Sequence, residues 1–217
     1  MTDPAALRRA YARARLDEDA VADTWLEQFA AWFAEASADP AIHEANAMQL
    51  ATADASGRPA VRTVLAKGVD ERGVVFYTNY SSAKARDLDE NPRAAVVFAW
   101  LAHERQVRFA GDVAKVDRAE TEAYFATRPR ESQLGAWASP QSQVVASRAE
   151  LDTALAEIER RFAGGPVPAP PGWGGYRIRP ASVEFWQGRP GRLHDRIRFR
   201  REESAGASGW IRERLAP

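Results

Sequence analysis

The sequence predicts a mainly β protein, a barrel of antiparallel strands with peripheral helices. Two observations carry this. From residue 47 onward, short runs rich in β-branched and aromatic residues recur between good turn sequences, such as Asp54 to Gly57 and Asp70 to Gly73. These links are too short to hold crossover helices, which favours antiparallel pairing over a doubly wound parallel sheet. The chain has 217 residues, 45% of them hydrophobic, including seven Trp and nine Phe, so it can bury a substantial core. We read residues 1–217 as a single domain whose residues 1–19 form a basic, mobile N-terminal arm.

The elements follow in order. Ala20 to Ala36 has apolar residues at 21, 25, 29, 32, 33 and 36, the spacing of a helix with one broad buried face. Residues 47–80 read as three strands. Residues 81–92, SSAKARDLDENP, read as a short helix stopped at Asn91-Pro92. RAAVVFAW (93–100) and RQVRFAGDVAKV (105–116) give two more strands. Asp117 with Glu120, and Ser147 with Glu150, match the capping-box pattern and start helices near 118–127 and 148–162. Between them, RPRESQLGAWASPQSQ reads as a short helix and a loop. The Pro-rich stretch 164–175 reads as a stiff connector, followed by strands at 176–187, 193–200 and 208–214.

Composition excludes several function classes. Thirty basic and thirty acidic residues cancel, so no global attraction to nucleic acid is expected. Without Cys there is no disulfide, thiolate metal site or cysteine nucleophile. His43, His103 and His194 lack metal-ligand spacing, so no metal is expected. The first sixteen residues lack a long apolar segment. They read as a basic amphipathic arm, with no membrane anchor, and a soluble cytoplasmic protein is expected.

What remains is a set of anion-suited clusters. In RTVLAK (62–67), Arg62 and Lys67 fall on opposite faces of a strand, suited to two anions, to one anion across a bent strand, or simply to solvent. In FYTNYSSAKA (76–85), hydroxyls and Lys84 sit at a helix start, which suits phosphate, although Ser81 or Ser82 could merely cap that helix. Tyr124, Arg128 and Ser132 recur at spacing four, a phenol, a guanidinium and a hydroxyl on one helical face if Pro129 permits. Gln141 and Ser142 lie in the loop SPQSQ. In GRLHDRIRFRR (191–201), Arg192, His194, Arg196, Arg198 and Arg200 alternate, so an extended strand would put them on one face and Leu193, Ile197 and Phe199 on the other. That face is either an anion-binding wall or a solvated edge strand. There is no nucleophile–base pair and no Walker loop, so chemistry here would be borrowed from a cofactor.

Taken in order, RTVLAK, GVVFYTNYSSAK, NPRAAVVFAW, ERQVRFAG, YFATRPRESQLGAWASPQSQ, PPGWGGYRIRPASVEFWQGRPGRLHDR and the terminal RLAP resemble the pyridoxamine (pyridoxine) 5′-phosphate oxidase family over roughly residues 45–217. The resemblance implies a split β-barrel, a homodimer and FMN at the subunit interface. It implies oxidation of pyridoxamine or pyridoxine 5′-phosphate to pyridoxal 5′-phosphate, with O2 as acceptor and H2O2 released. It places FMN contacts at Arg62, Thr63, Val64, Leu65, Lys67, Tyr77, Thr78, Lys84, Gln106, Gln141, Ser142, Trp186 and Arg196. Ala83 stands where the family often has a further cation to the FMN phosphate, so that contact is either missing or reduced to backbone, and Lys84 and Arg62 would carry more of the charge. Substrate contacts are implied at Lys67, Tyr124, Arg128, Ser132, Arg192 and His194, the last two beside the reacting carbon. Arg8, Arg9 and Tyr11 resemble an arm that covers the substrate. The rival readings are a related flavin oxidase, such as a phenazine-pathway enzyme, and a non-catalytic module that binds FMN or pyridoxal phosphate.

Overall fold

The computed structural model describes residue 3, residues 10–202 and residues 209–217. Arg8 and Arg9 lie outside the described residues. The first helix, α1, runs Trp25–Ala38. It starts five residues later than the apolar period suggested, because Thr24 and Glu27 form a reciprocal capping box, a signal present in the sequence as TWLE. The strands β1 (Ala47–Ala53) and β2 (Pro59–Leu65) form one hairpin, and β3 (Gly68–Asp70) and β4 (Gly73–Asn79) a second. The region read as three strands therefore holds four, the extra one only three residues long. Next come α2 (Ala83–Glu90), β5 (Arg93–Trp100) and β6 (Arg105–Lys115). Then α3 (Arg118–Ala126), α4 (Arg130–Ala138) and α5 (Arg148–Arg161) precede β7 (Trp173–Gln187), β8 (Asp195–Arg201) and β9 (Trp210–Arg214).

All strand pairs are antiparallel, and the sheet order is β2-β1-β5-β6-β7-β4-β3, with β8 and β9 added beside β7. The fifteen-residue β7 organises this arrangement. One edge pairs with β6 along most of its length, while the other pairs with β4 near its start and β8 near its end. A register shift at Ala110/Gly111 helps the sheet curl. The result is a curled antiparallel split barrel with five α-helices around it among the described residues, the mainly β fold with peripheral helices that the sequence predicts.

Helix α1 closes the barrel. Phe29 packs edge-on against Phe98 and Phe109, with centroids 5.1 and 5.4 Å away, and Trp32 meets Phe185 at 5.4 Å. A smaller cluster of Phe125, Leu134, Val167, Ala169 and Trp173 joins α3, α4 and the Pro-rich connector to the start of β7. Arg118 ties that connector down, donating to the carbonyls of Ala169 and Pro170. The connector is three residues shorter than expected, because Trp173 to Gly175 already belong to β7. Gly174 is required there, since a Cβ would lie 2.1 Å from the Tyr80 hydroxyl. Among the described residues, no helix is long and apolar enough to cross a membrane.

The alternation expected through 192–200 breaks at its start. Pro190–Arg192 form a 3₁₀ turn in which Gly191 and Arg192 both have positive φ (66° and 64°), and the strand begins only at Asp195. Leu193, expected on the apolar face, is 73% exposed. Nor is β8 an edge: it lies between β7 and β9, and Arg198 pairs with Glu213 at 2.6 Å, its direct cross-strand neighbour.

Candidate functional site

The first cluster forms where β4 runs into α2. Thr78 ends the strand buried, and Ser82 occupies the N-cap position of α2 with no side-chain capping bond. Its hydroxyl turns instead toward Thr78 and Lys84, at 3.4 Å from each. That leaves the amides of the first helical turn free of a side-chain cap. The buried Lys84 Nζ donates to Thr78 Oγ1 at 3.1 Å and to Gln141 Oε1 at 3.3 Å. Gln141, from the loop after α4, also accepts from the Thr78 hydroxyl at 2.8 Å. Among the described residues no carboxylate pairs with Lys84. Arg62 reaches across the hairpin to Thr52 Oγ1 (2.6 Å) and Asp87 (3.5 Å). Burial pulls the Lys84 pKa below its ordinary value, the nearby positive charge of Arg62 adds to this, and Asp87 opposes it. A buried ammonium held by three neutral oxygens, beside a helix N-terminus and a guanidinium that takes the nearby Asp87 for itself, has no carboxylate in contact, and an oxyanion would supply that counter-charge.

The second cluster adjoins the first. Tyr77 stacks on Tyr124 at 4.0 Å and on Trp173 at 5.4 Å. Burial pushes the Tyr77 phenol up to about 12. Arg128 lies over the Trp173 ring, its guanidinium carbon 4.7 Å from the centroid. Its buried Nη1 has no hydrogen-bond partner. Tyr124, Arg128 and Ser132 do not share one helical face as their spacing suggested: α3 ends at Ala126, and Pro129 starts a new helix. Arg128 and Ser132 nevertheless line one cavity of about 280 Å³ with Asn79, Gln141 and Trp173, which links this cluster to Lys84 through Gln141. An unpaired, half-buried guanidinium above an aromatic ring, next to a hydroxyl, is suited to a second anion.

The third cluster is elsewhere. Gln106, Trp186 and Arg196 are direct partners across β6, β7 and β8, so their side chains share one face. His194 packs on Trp186 at 4.6 Å, and Tyr11 meets both rings edge-on at 5.8 Å. His194 Nδ1 accepts the backbone N–H of Arg189 at 3.1 Å, which leaves Nε2 to carry the proton in the neutral ring. Arg196 is paired with Glu184 at 2.8 Å and donates to the carbonyl of Ala216. Arg192 is exposed. Among the described residues, the non-glycine positions with positive φ are Glu104, Ser142 and Arg192, so two of the three were already singled out from the sequence.

Lys67 is exposed and lines a different cavity, of about 650 Å³, with Phe29, Phe33, Ile42 and His43. Of the neighbouring β2 residues, Thr63 is exposed, and Val64 and Leu65 are part-buried. Ala83 opens α2, and its methyl adds no charge to the first cluster. The sequence reading missed Trp173, Asn79 and the Thr52–Asp87 pair that holds Arg62. Trp173 had a usable signal, an aromatic residue between glycines at a strand start. The other three contacts depend on tertiary structure.

Trp173, in the second cluster, and Trp186, in the third, are thirteen positions apart along β7. At about 3.3 Å per residue that is about 40 Å along the strand. The two clusters therefore lie at opposite ends of one long strand.

A sequence profile described as "Pyridoxamine 5'-phosphate oxidase" matches residues 33–162, and one described as "Pyridoxine 5'-phosphate oxidase C-terminal dimerisation region" matches residues 173–217. A protein of Saccharopolyspora erythraea named pyridoxine/pyridoxamine 5′-phosphate oxidase is 60% identical over 212 residues, covering 97% of this chain and 94% of the relative. A relative of the same name from Rubrobacter xylanophilus is 56% identical, covering 99% and 97%. Among solved structures, PhzG from Burkholderia lata 383, in complex with tetrahydrophenazine-1-carboxylic acid, superposes with a TM-score of 0.84 at 29% identity, covering 92% of this chain and 95% of that one. A pyridoxamine 5′-phosphate oxidase-related, FMN-binding protein from Nostoc punctiforme shares the fold, with a TM-score of 0.68 at 21% identity over 87% of this chain and 97% of that one.

Proposed function

Because the chain belongs to the pyridoxamine 5′-phosphate oxidase family, we propose that it is an FMN-dependent oxidase working as a homodimer. It converts pyridoxamine and pyridoxine 5′-phosphate to pyridoxal 5′-phosphate, with O2 as acceptor and H2O2 released. The observation that carries this reading is the pair of adjoining anion sites, a buried Lys84 without a carboxylate and an Arg128 with an unpartnered buried nitrogen. One suits the phosphate of a cofactor and the other the phosphate of a substrate.

FMN, when bound, supplies the two-electron acceptor for the bond broken at the substrate's C4′. Lys84, Arg62, Thr78 and Gln141 hold its phosphate. Thr63, Val64 and Leu65 of β2, Lys67 just beyond it, Tyr77, Ser142, and the Gln106–Trp186–Arg196 row complete its binding surface. Arg128, Tyr124 and Ser132 anchor the substrate phosphate, Lys67 approaching it from the separate cavity that it lines, which leaves the pyridine ring to be oriented by Arg192 and His194. The bond from Arg189 to His194 Nδ1 fixes the imidazole orientation and presents Nε2–H as a donor. Since the two ends of β7 are so far apart, Gln106, Trp186, Arg192, His194 and Arg196 act on the partner's phosphate clusters, and the dimerisation-region match over 173–217 supports this.

PhzG, whose named complex holds a carboxylic acid rather than a phosphate ester, supplies the rival reading. Oxygen consumption by the purified, flavin-loaded protein separates the readings. Turnover is expected with pyridoxamine 5′-phosphate and not with unphosphorylated pyridoxamine or the tetrahydrophenazine acid. Turnover of the tetrahydrophenazine acid alone would assign the rival chemistry, and flavin binding without oxygen uptake on any of them would indicate a non-catalytic module.

A further inference from the structure

We propose that Glu104 is a positioning residue, a latch that pins the N-terminal arm so that Tyr11 closes the Trp186–His194 end of the site. The proposal rests on the functional reading above only in what Tyr11 closes over; the latch itself is read from contacts within the chain. Glu104 follows the 3₁₀ turn Leu101–His103 and holds the left-handed conformation, with φ 55° and ψ 35°. That is an uncommon backbone for a non-glycine residue, and an ordinary turn would place glycine or asparagine there. Its side chain accounts for the choice: Oε2 accepts the consecutive backbone N–H groups of Ala12 and Arg13, each at 3.0 Å. Two amides on one carboxylate oxygen fix both position and direction of the arm. Arg13 adds a bond to the carbonyl of Ala102 at 2.7 Å.

The same residue is tied to the site. The Glu104 carbonyl accepts from Gly188 N at 2.7 Å and from Gln187 Nε2 at 3.2 Å, at the end of β7 just past Trp186. Gly188 leaves the room in which Tyr11 sits: a Cβ there would lie 2.8 Å from Tyr11 Cγ and 3.1 Å from Glu104 Cβ. Backbone on one side of Glu104 and carboxylate on the other thus couple the Trp186 strand end to the arm one residue beyond Tyr11.

The test compares Glu104→Gly, which suits the left-handed backbone and removes the latch, with Glu104→Gln, which keeps an acceptor oxygen. In the flavin-loaded protein, amide exchange over residues 10–16 should speed up at least about tenfold in the glycine variant, the loss expected for bonds to a charged group, and stay near wild type in the glutamine variant. KM for pyridoxamine 5′-phosphate should rise at least about fivefold in the glycine variant with kcat little changed, and recover in the glutamine variant. A merely structural defect would instead lower the melting temperature and release flavin. Unchanged exchange in the glycine variant overturns the latch, and a released arm with an unchanged KM overturns its positioning role. If the wild-type protein itself does not turn over this substrate, the functional reading falls, and amide exchange alone decides whether Glu104 holds the arm.

Discussion

Lys84 and Arg192 show what single residues contribute. Lys84→Ala removes the buried cation of the first cluster. A charge-assisted bond is typically worth about 1.5–3 kcal/mol, so FMN affinity by fluorescence titration should fall at least about tenfold. The neighbouring Ala83 offers no replacement charge. The flavin-free protein should also carry a pH signature. Because the folded-state pKa of Lys84 is depressed, the unfolded chain binds more protons between that pKa and the ordinary lysine value. Stability against urea should therefore rise with pH through that window, and Lys84→Met should flatten the rise. Arg192→Ala should cost at least about tenfold in kcat/KM, or about 1.4 kcal/mol, in protein that remains folded and yellow. Arg198→Ala loses only a partly exposed pair with Glu213, worth about 0–1 kcal/mol, and kcat/KM should hardly move; equal effects of the two variants in steady-state kinetics would contradict the roles assigned. The Lys84 cluster was legible in the sequence because Thr78, Ser82 and Lys84 lie within one strand-to-helix turn. The side-chain arrangement at 192–194 was not, because alternation was carried back to Arg192, where the chain is still turning and the strand has not begun.

Among the elements, α1 does most to fill the barrel core and β7 to place the site. Phe29 is 3% exposed and touches Phe98 and Phe109, so Phe29→Ala should destabilise the protein by about 3–5 kcal/mol in chemical denaturation, with FMN affinity of the folded fraction unchanged. A matching loss of flavin affinity would mean that α1 shapes the site directly. Helix starts at Asp117 and Ser147 were legible because each cap is a local pattern, and the structure places a side-chain cap at both. The start of α1 was equally local, in Thr24 and Glu27, but an apolar period running back to Val21 obscured it. Val21 is indeed buried, though outside the helix. The first residues of β7 were hidden by their glycines, which read as connector but serve the close packing of Tyr80.

For the whole molecule, the central point is that the two clusters which the proposal treats as half-sites lie at opposite ends of β7. Strand count and turn chemistry made the barrel legible, but they could not reveal that one long strand holds Trp173 and Trp186 at opposite ends. Sheet order and register settle that. The most direct test is complementation. Arg128→Ala impairs the phosphate end and Arg192→Ala the ring end, so each homodimer should be nearly inactive. Unfolding, mixing and refolding the two together produces heterodimers in which one of the two sites carries neither substitution. Statistical assortment into twofold dimers predicts recovery to about a quarter of wild-type activity. Activity no higher than that of the separate variants, in a mixture shown to contain heterodimer, would place both ends of the site within one chain and contradict the account.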